Sequence, residues 1–306
     1  MGDVKTITGV LAAETKAVMG TVVAELKGVG PVAAASSWST STYWSSSVPI
    51  GYWDMSDGSG TTVSDVSTAG NNLDGTMAAS PGDSGPAWDT SNKVRGSNSL
   101  LFNDGDSDRV IIDDHSALDF NVDDAFSISC WIKREGTSGG AYSGLVCKMA
   151  QTSTADGAWE GWALYMEGSQ RKQPRFLLYD ASGAAEALRV AGGGTSAIND
   201  TDWHHLVITY NGNAALSGVK MYLDGSAMSM SQVEDSLETD DDILTSTDMI
   251  FGAFINNTST NSTIYHFDGY MDEIAIWSKE LSSDEISDVY NSGNGNDVKS
   301  GIPKSS

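Results

Sequence analysis

Between residues 50 and 290 the chain alternates apolar and polar positions in many short stretches. This period of two is typical of β-strands that bury one face. Clear examples are "DRVIIDD", "AFSISCWIK", "WALYMEG", "PRFLLYD", "HHLVITYNG" and "VKMYLDG". The Asn-Gly and Asp-Gly pairs in "YNGN" and "LDGS" are typical of hairpin turns. Long helical patterns do not separate these stretches, so we predict an all-β, two-sheet antiparallel sandwich rather than a parallel α/β sheet.

One short helix is predicted near the C-terminus, at "SSDEISDVYNSG". Ser282 or Ser283 can cap it, and acidic residues follow in the first turn. Its apolar stripe consists of Ile286, Val289 and Tyr290.

The first 31 residues repeat themselves with a period of eleven, so that Lys5, Lys16 and Lys27 align. An eleven-residue period suits a slightly right-handed helical supercoil, whereas Gly9 and Gly20 weaken a continuous helix. About thirty residues cannot bury their own apolar stripe, so we expect burial against sister chains or a neighbouring protein. This predicts an assembly arm whose contacts come from Val4, Ile7, Leu11, Val18, Val22, Leu26 and Val29.

Four segments follow from these patterns. Residues 1–31 form the arm, and residues 32–48 form a Ser/Thr-rich tether. Residues 49–292 form the β domain. Residues 293–306 are polar and glycine-rich, which predicts a flexible tail.

The net charge is −24, from 17 basic and 41 acidic side chains. A field of that sign repels phosphate backbones, so nucleic acid is not expected as a partner. No apolar run has the length of a membrane span, so no membrane is expected as a partner either. The N-terminus also lacks the pattern of a signal peptide, and we expect synthesis in the cytoplasm.

Both cysteines fall in stretches that are predicted to be strands, Cys130 in "AFSISCWIK" and Cys147 in "SGLVCKMA". In the first stretch Phe126, Ile128, Cys130 and Ile132 share one face. A disulfide would need facing positions on neighbouring strands. That alternative stays open, although two buried free thiols fit a reducing compartment better.

The order of several blocks resembles the laminin-G-like, concanavalin A-like jelly rolls. The blocks are "YWDMSDGSGTTVSDVSTAGNNLDGTM", "GSNSLLFNDGDSDRVII", "FSISCWIKRE", "DWHHLVITYNG", "VKMYLDGS" and "FDGYMDEIAIWSKELSSDEISDVYNSG". The resemblance covers roughly residues 50–292 and implies two curved antiparallel sheets. It implies no activity, because this fold hosts lectins, adhesins, enzymes and spacers. The opening repeat, built on "K-x-I-x-G-V", resembles runs near the ends of tailed-phage structural proteins.

The resemblance to these jelly rolls also implies a structural calcium ion near the last strand. Carried onto this chain, Asp272 in "GYMDEI" is the candidate ligand, joined by Asp57 or Asp65. Hard carboxylate and carbonyl oxygens suit calcium. The loop "NDGDSD" is not an EF-hand, because it lacks the glycine and the closing glutamate of that motif.

Aromatic side chains in "AWEGWALYM" are candidates for stacking against sugars. They are Trp159, Trp162 and Tyr165, with Trp131 as a further candidate. A flat aromatic side chain and a few polar groups in a shallow groove are what carbohydrate binding requires. A tryptophan in a sandwich is more often part of the core, and this alternative stays open.

Catalytic residues are not evident. His204 and His205 are neighbours on a strand, so they point to opposite faces and cannot jointly bind one metal ion; the family resemblance places one of them inside. Glu160 and Glu167 are seven residues apart, which also puts them on opposite faces of a strand. A facing pair of acids is what a glycosidase needs. We therefore expect a protein that is not an enzyme.

Two functions fit these observations. The first is a structural, decoration or fibre protein of a tailed-phage virion, a homo-oligomer docked by its arm to other virion proteins. It would display a lectin-like jelly roll for glycan or host-surface contact. The alternative is a carbohydrate-binding module of a bacterial surface or secreted protein, which would be expected to carry an export signal.

Overall fold

A computed structural model describes residues 47–79, 85–135, 141–151, 159–168, 172–181, 186–194, 197–257 and 262–304. The predicted arm, residues 1–31, lies outside the described residues, and so do residues 32–46 of the tether. Within the described ranges, no helix combines the length and the apolar character needed to cross a bilayer.

Short strands joined by turns make up most of the described chain, with one α-helix near its end. In chain order the elements are β1 (Gly51–Trp53), β2 (Thr62–Val63), β3 (Gly75–Ala78), β4 (Ala87–Asp89), β5 (Ser99–Phe102), β6 (Arg109–Ile112), β7 (Phe126–Arg134), β8 (Tyr142–Gln151), β9 (Trp159–Glu167), β10 (Gln173–Asp180), β11 (Glu186–Gly192), β12 (Trp203–Tyr210), β13 (Val219–Leu223), β14 (Ser226–Ala227), β15 (Met230–Asp235), β16 (Met249–Phe251), β17 (Phe254–Asn257), β18 (Ser262–Ile264), β19 (Gly269–Trp277) and α1 (Ser283–Tyr290).

The strands form two sheets, which confirms the predicted sandwich. Sheet I has the strand order β14-β13-β12-β7-β19-β5-β4, and β1 also pairs with β19. Sheet II has the order β15-β11-β10-β9-β8-β16-β6-β3-β2, and β17 joins β8 and β18. The described pairings between these strands are antiparallel, apart from one parallel contact between β17 and β8.

The core lies between the inner faces of the two sheets. From β7 it takes the four residues whose shared face the alternation predicts, Phe126, Ile128, Cys130 and Ile132. From sheet II it takes the alternate residues of β9 and β10, which are Trp162, Leu164, Met166, Phe176 and Leu178. Each such side chain contributes about 1.5–3 kcal/mol when it is fully buried.

The two cysteines are free and buried in different clusters. Cys130 belongs to the core between the sheets, whereas Cys147 lies in a cluster on the outer face of sheet II. Burial raises the pKa of the Cys130 thiol to about 12, which keeps it protonated and unreactive.

The outer face of sheet I is covered by α1, as its apolar stripe predicts. Ser282 is the N-cap and forms a reciprocal capping box with Glu285. Ile286 and Val289 are buried against Trp277 and neighbouring side chains of sheet I.

The C-terminal segment also packs on sheet I, so the prediction of a flexible tail at residues 293–306 is wrong for its described part. Val298 and Ile302 are buried in the same cluster as Trp277. The backbone N–H of Thr68 donates to the carbonyl of Lys299 at 2.8 Å. The segment is mostly polar, which is why a flexible tail was predicted. Its two apolar residues pack on sheet I and help to cover the outer face of that sheet.

The β domain begins before residue 49, within the predicted tether. Ser47 is buried, and its carbonyl accepts a hydrogen bond from Trp277 Nε1 at 2.8 Å. Its hydroxyl donates to Glu285. These hydrogen bonds connect the start of the β domain to both the last strand, β19, and α1.

We expect Ile302→Ala to destabilise the domain by about 2–4 kcal/mol, because it empties a buried position. Urea unfolding followed by tryptophan fluorescence measures this. The control is Leu244→Ala, at a side chain that is 41% exposed, which should shift stability by no more than about 0.5 kcal/mol. Equal effects of the two variants would contradict the packed tail.

Candidate functional site

The outer face of sheet II carries apolar and aromatic side chains where a solvated sheet would carry polar ones. On β9 the outward positions are Trp159, Gly161, Ala163 and Tyr165, and on β10 they include Leu177 and Tyr179. In sheet register Ala163 lies beside Leu177. Both faces of these strands are therefore largely apolar, although only the inner face packs in the core between the sheets.

These side chains line a depression with a volume of about 350 Å³, which we call the aromatic groove. Gly161 and Ala163 add little bulk between Trp159 and Tyr165, and Ala163 is buried in the same cluster as Phe254. Six aromatic side chains line it: Tyr142, Trp159, Tyr165, Tyr179, Phe254 and Tyr265.

Phe254 holds several of these rings in place. Its ring centroid lies 5.5 Å from that of Tyr165 and 5.9 Å from that of Trp159, both edge to face. Tyr265 contacts Phe254 at 5.8 Å and Tyr142 at 4.9 Å. Such edge-to-face contacts are favourable beyond the buried area, so the walls of the groove are preformed.

Two pairs of opposite charge lie on the outer face of sheet II, one of them next to Tyr165 and the other in the lining of the groove. Arg175 Nε is 3.2 Å from Glu167 Oε2, and Tyr165 donates its hydroxyl hydrogen to the same oxygen at 3.4 Å. Arg189 and Glu234 line the groove itself. Burial, and next to it the charge of Glu234, raises the pKa of Tyr179, so this phenol stays a neutral hydrogen-bond donor.

The structure separates the three aromatic residues that were predicted to bind sugar. Trp159 and Tyr165 line the groove, but Trp162 does not. Trp162 is 1% exposed, packs on Phe126 in the core and donates Nε1–H to the carbonyl of Leu118. The reason is the strand period: an offset of six keeps residues 159 and 165 on one face, whereas residue 162 falls on the other.

The further candidate, Trp131, is also a structural residue. Its ring is stacked on His205 at 4.9 Å and on Tyr290 of α1 at 5.7 Å. Sequence reasoning missed Tyr142, Tyr179, Phe254, Tyr265, Arg189 and Glu234. A usable signal was present in β10, where Leu177 and Tyr179 are apolar on the face that alternation assigns to solvent.

The carboxylates that were predicted to bind calcium are each occupied by hydrogen bonds within the protein. Asp57 accepts from the N–H and the hydroxyl of Ser64. Asp65 accepts three backbone N–H groups, and so does the fully buried Asp272. Among the described residues, no group of three or more His, Cys, Asp or Glu side chains could hold a metal ion. Calcium takes about six to eight oxygen ligands, and calcium binding by these residues stays a prediction.

Asp272 and Glu273 form a buried acidic pair at a β-bulge in β19. The register with β7 shifts between Asp272 and Ala275, and Glu273 has a φ of 50°. A positive φ is strained for such a residue. The hydroxyl of Tyr52 donates to Glu273, and Arg95 Nη1 lies 3.7 Å from its other oxygen. Burial, aided by the charge of Asp272, raises the pKa of Glu273 to about 8.

The two neighbouring histidines point to different surroundings, as predicted. His205 is fully buried, burial lowers its pKa to about 3, and its Nε2 is 2.8 Å from Ser129 Oγ. His204 lies between Asp224 and Asp200, at 2.8 and 2.7 Å. Its hydrogen bonds with these carboxylates raise the pKa of His204 to about 9. Both histidines therefore have structural partners.

A family model described as the concanavalin A-like lectin/glucanases superfamily matches residues 104–287, which is more than half of the chain. The chain belongs to this superfamily. The match covers both walls of the aromatic groove and does not reach residues 1–31. Since the superfamily includes lectins as well as glucanases, membership does not by itself decide the activity.

Solved structures share this concanavalin A-like fold. The binding domain of Paraclostridial Mosquitocidal Protein 1 aligns with a TM-score of 0.56 and 16% identity, over 80% of this chain and 52% of that one. The botulinum neurotoxin serotype G binding domain aligns with a TM-score of 0.53 and 15% identity, over 79% and 50%. The botulinum neurotoxin serotype D ligand binding domain, in complex with N-acetylneuraminic acid, aligns with a TM-score of 0.51 and 16% identity, over 80% and 50%.

This chain therefore spans about half the length of the structures that it matches. At these identities the likeness shows the fold alone. A comparison with curated proteins gives no match.

We expect Glu273→Gln to flatten the fall in stability with rising pH. The ordinary pKa of a glutamate, 4.5, applies in the unfolded chain, whereas burial raises it to about 8 in the folded one. The folded protein therefore keeps this proton up to a higher pH than the unfolded chain does. The stability that the proton contributes to the folded protein is fully present below pH 4.5 and is lost as the pH rises through about 8. Glutamine does not titrate, so that loss disappears.

Melting temperatures measured between pH 5 and pH 9 test this, with the exposed Glu135→Gln as the matched control. Parallel pH profiles of the wild type and Glu273→Gln would contradict the raised pKa.

Proposed function

We propose that this chain is a non-enzymatic carbohydrate-binding domain and that the aromatic groove is its binding site. The observation that carries the proposal is a preformed depression of about 350 Å³, lined by six aromatic side chains with charged groups at its rim. Ligand sites generally combine such an apolar lining with a few placed polar groups.

The groove matches the chemistry of a sugar ring. A pyranose has apolar C–H faces and a rim of hydroxyl groups, so it needs flat rings beside it and hydrogen-bonding groups at the edge. Trp159 and Tyr179 are half-buried, which leaves part of each ring free for contact. Arg189 and Glu234 supply a donor and an acceptor at the same site.

The acids near the groove do not form the pair that glycoside hydrolysis needs. Glu234 is the one carboxylate that lines the groove in the described residues. Glu167 is engaged by Arg175 and by the hydroxyl of Tyr165. Glu160 lies on the opposite face of β9 by strand alternation. A glycosidase places two carboxyl groups on either side of one bond, so this arrangement supports binding rather than cleavage.

The related structures support the same proposal in a general way. One of the neurotoxin domains with this fold is in complex with N-acetylneuraminic acid, so a protein of this architecture binds a sugar. Which ligand the present chain binds depends on the residues that line its own groove.

Trp159→Ala and Tyr179→Ala should each weaken binding of a glycan selected on a printed array by about tenfold or more, because each removes a stacking surface. Isothermal titration with that glycan gives the affinities. The control is Trp203→Ala, since Trp203 is a half-buried residue that begins a strand of sheet I.

Retention of full affinity in both groove variants would contradict the proposed site. An array on which the wild-type protein binds no glycan would contradict the proposed function.

We further propose that residues 1–31 dock this domain to a tailed-phage virion as a decoration or fibre protein, and that the chain is a homo-oligomer. The eleven-residue repeat supports this proposal, because its apolar stripe needs an external partner for burial. Three copies of a similar short contact also gain from effective concentration.

Deleting residues 1–31 should leave the melting temperature of the domain unchanged and abolish oligomerisation or particle incorporation. Light scattering after size-exclusion chromatography, and electron microscopy of particles, measure these outcomes. A matched variant changes the seven apolar arm residues to Ser and keeps the chain length. A truncated protein that assembles like the full chain would refute the arm, and export of the protein to a bacterial surface would favour the alternative of a surface carbohydrate-binding module.

A further inference from the structure

One wall of the aromatic groove is formed by a pair of oppositely charged side chains from neighbouring strands. Arg189 on β11 lies directly opposite Glu234 on β15. Directly opposed residues of an antiparallel pair have their side chains on the same face. The β11–β15 register shifts immediately after Arg189, and a bulge of this kind commonly changes the direction of a side chain.

The two side chains form a loose salt bridge, which we call the open pair because no hydrogen bond joins its two ends. Arg189 Nη2 is 3.6 Å from Glu234 Oε2, beyond hydrogen-bond distance. The two side chains are 36% and 38% exposed. Pairs this exposed contribute little to stability, so stability alone gives no reason for placing them in an apolar groove.

The neighbouring Arg175–Glu167 pair provides an internal comparison. Its nitrogen and oxygen are 3.2 Å apart, its side chains are 13% and 22% exposed, and Tyr165 adds a hydrogen bond to the same carboxylate. That pair is shorter and less exposed, and the carboxylate of Glu167 also accepts a hydrogen bond from Tyr165. Arg189 and Glu234 keep a donor and an acceptor available at the groove.

The open pair lies beside a flat ring. The charges of both Glu234 and Arg189 act on Tyr179, in opposite directions. Leu177, which precedes Tyr179 on the same face of β10, pairs in register with Arg189. A ligand ring that lies against Tyr179 is therefore in the same groove as the gap between the guanidinium and the carboxylate, which both line it.

A sugar hydroxyl suits that gap, because it accepts a hydrogen bond and donates another at the same time. One hydroxyl can accept from Arg189 and donate to Glu234. A carboxylate only accepts, so it would bond to Arg189 and be repelled by Glu234. An ammonium group only donates, so it would be repelled by Arg189.

We infer that the Arg189–Glu234 pair is the specificity determinant of the groove and that it selects neutral sugars through a bridging hydroxyl. This inference rests on the proposed carbohydrate function and names the substrate class of the same site. The net charge of −24 acts in the same direction, because it disfavours the approach of anionic glycans.

The test uses the full chain and a glycan array that carries neutral oligosaccharides beside the same structures ended by N-acetylneuraminic acid or a uronic acid. The wild type should retain neutral members and reject their acidic counterparts. Glu234→Gln should lower the affinity for the bound neutral glycan by about tenfold, the size expected when a hydrogen bond to a charged group becomes one to a neutral amide. It should also increase binding of the acidic counterpart, because the repelling charge is gone.

The gain on acidic glycans is the decisive measurement, since a merely structural defect would not produce it. Arg189→Gln should lose the neutral glycan without gaining the acidic one. The matched control is Glu280→Gln, which removes the carboxylate of a salt bridge to Lys220 on the other sheet and should change neither affinity. Melting temperatures of all variants check that they fold.

The outcomes separate the two proposals. Binding that is lost in Trp159→Ala but unchanged in Glu234→Gln would overturn the role of the pair and keep the carbohydrate site. A wild type that prefers the acidic counterparts would also overturn the neutral selectivity alone. A wild type that binds no glycan would overturn both.

Discussion

The packing of aromatic rings around Phe126 is the interaction on which the rest of the fold depends. The Phe126 ring is stacked on Phe120 at 4.3 Å and contacts Trp162 at 5.8 Å, Phe176 at 5.9 Å and Tyr210 at 5.8 Å. These rings come from both sheets and from the segment between them. Their burial fixes which face of each strand is inward, and strand alternation then dictates every outward position.

The outward faces of the two sheets differ in what covers them. On sheet I the outward apolar residues are covered from within the chain, by α1 and by the segment that carries Val298 and Ile302. On sheet II the outward apolar residues of β8, β9 and β10 line an open groove instead. An exposed apolar depression of this kind is a common feature of binding sites, and it is the main physical reason to place the function on sheet II.

Charged groups in this protein follow the same distinction between covered and open surroundings. Lys148 is 1% exposed, and its Nζ is held by Asp114 at 2.6 Å and by Asp119 at 3.0 Å, because a buried charge requires full compensation. The buried pair Asp272–Glu273 accepts hydrogen bonds from Tyr52 and from backbone N–H groups, and burial raises the pKa of both carboxyl groups. Arg189 and Glu234 are exposed and leave a gap between them, which is tolerable only where water or a ligand can satisfy both groups.

The sequence by itself determined the elements whose signals are local. Strand alternation assigned the inward face of β7, and the capping residues and apolar stripe located α1. The same alternation could have separated Trp162 from Trp159 and Tyr165. Only the tertiary structure decided that the outward face of sheet II carries an open groove. The walls of this groove come from strands far apart in the chain, such as β9 with Trp159 and β17 with Phe254. The tertiary structure also decided that the polar C-terminal segment packs and that Asp272 bonds to backbone N–H groups, since both depend on contacts between distant segments. A one-dimensional pattern shows which side of a strand is apolar, but what covers that side is a property of the assembled sheets.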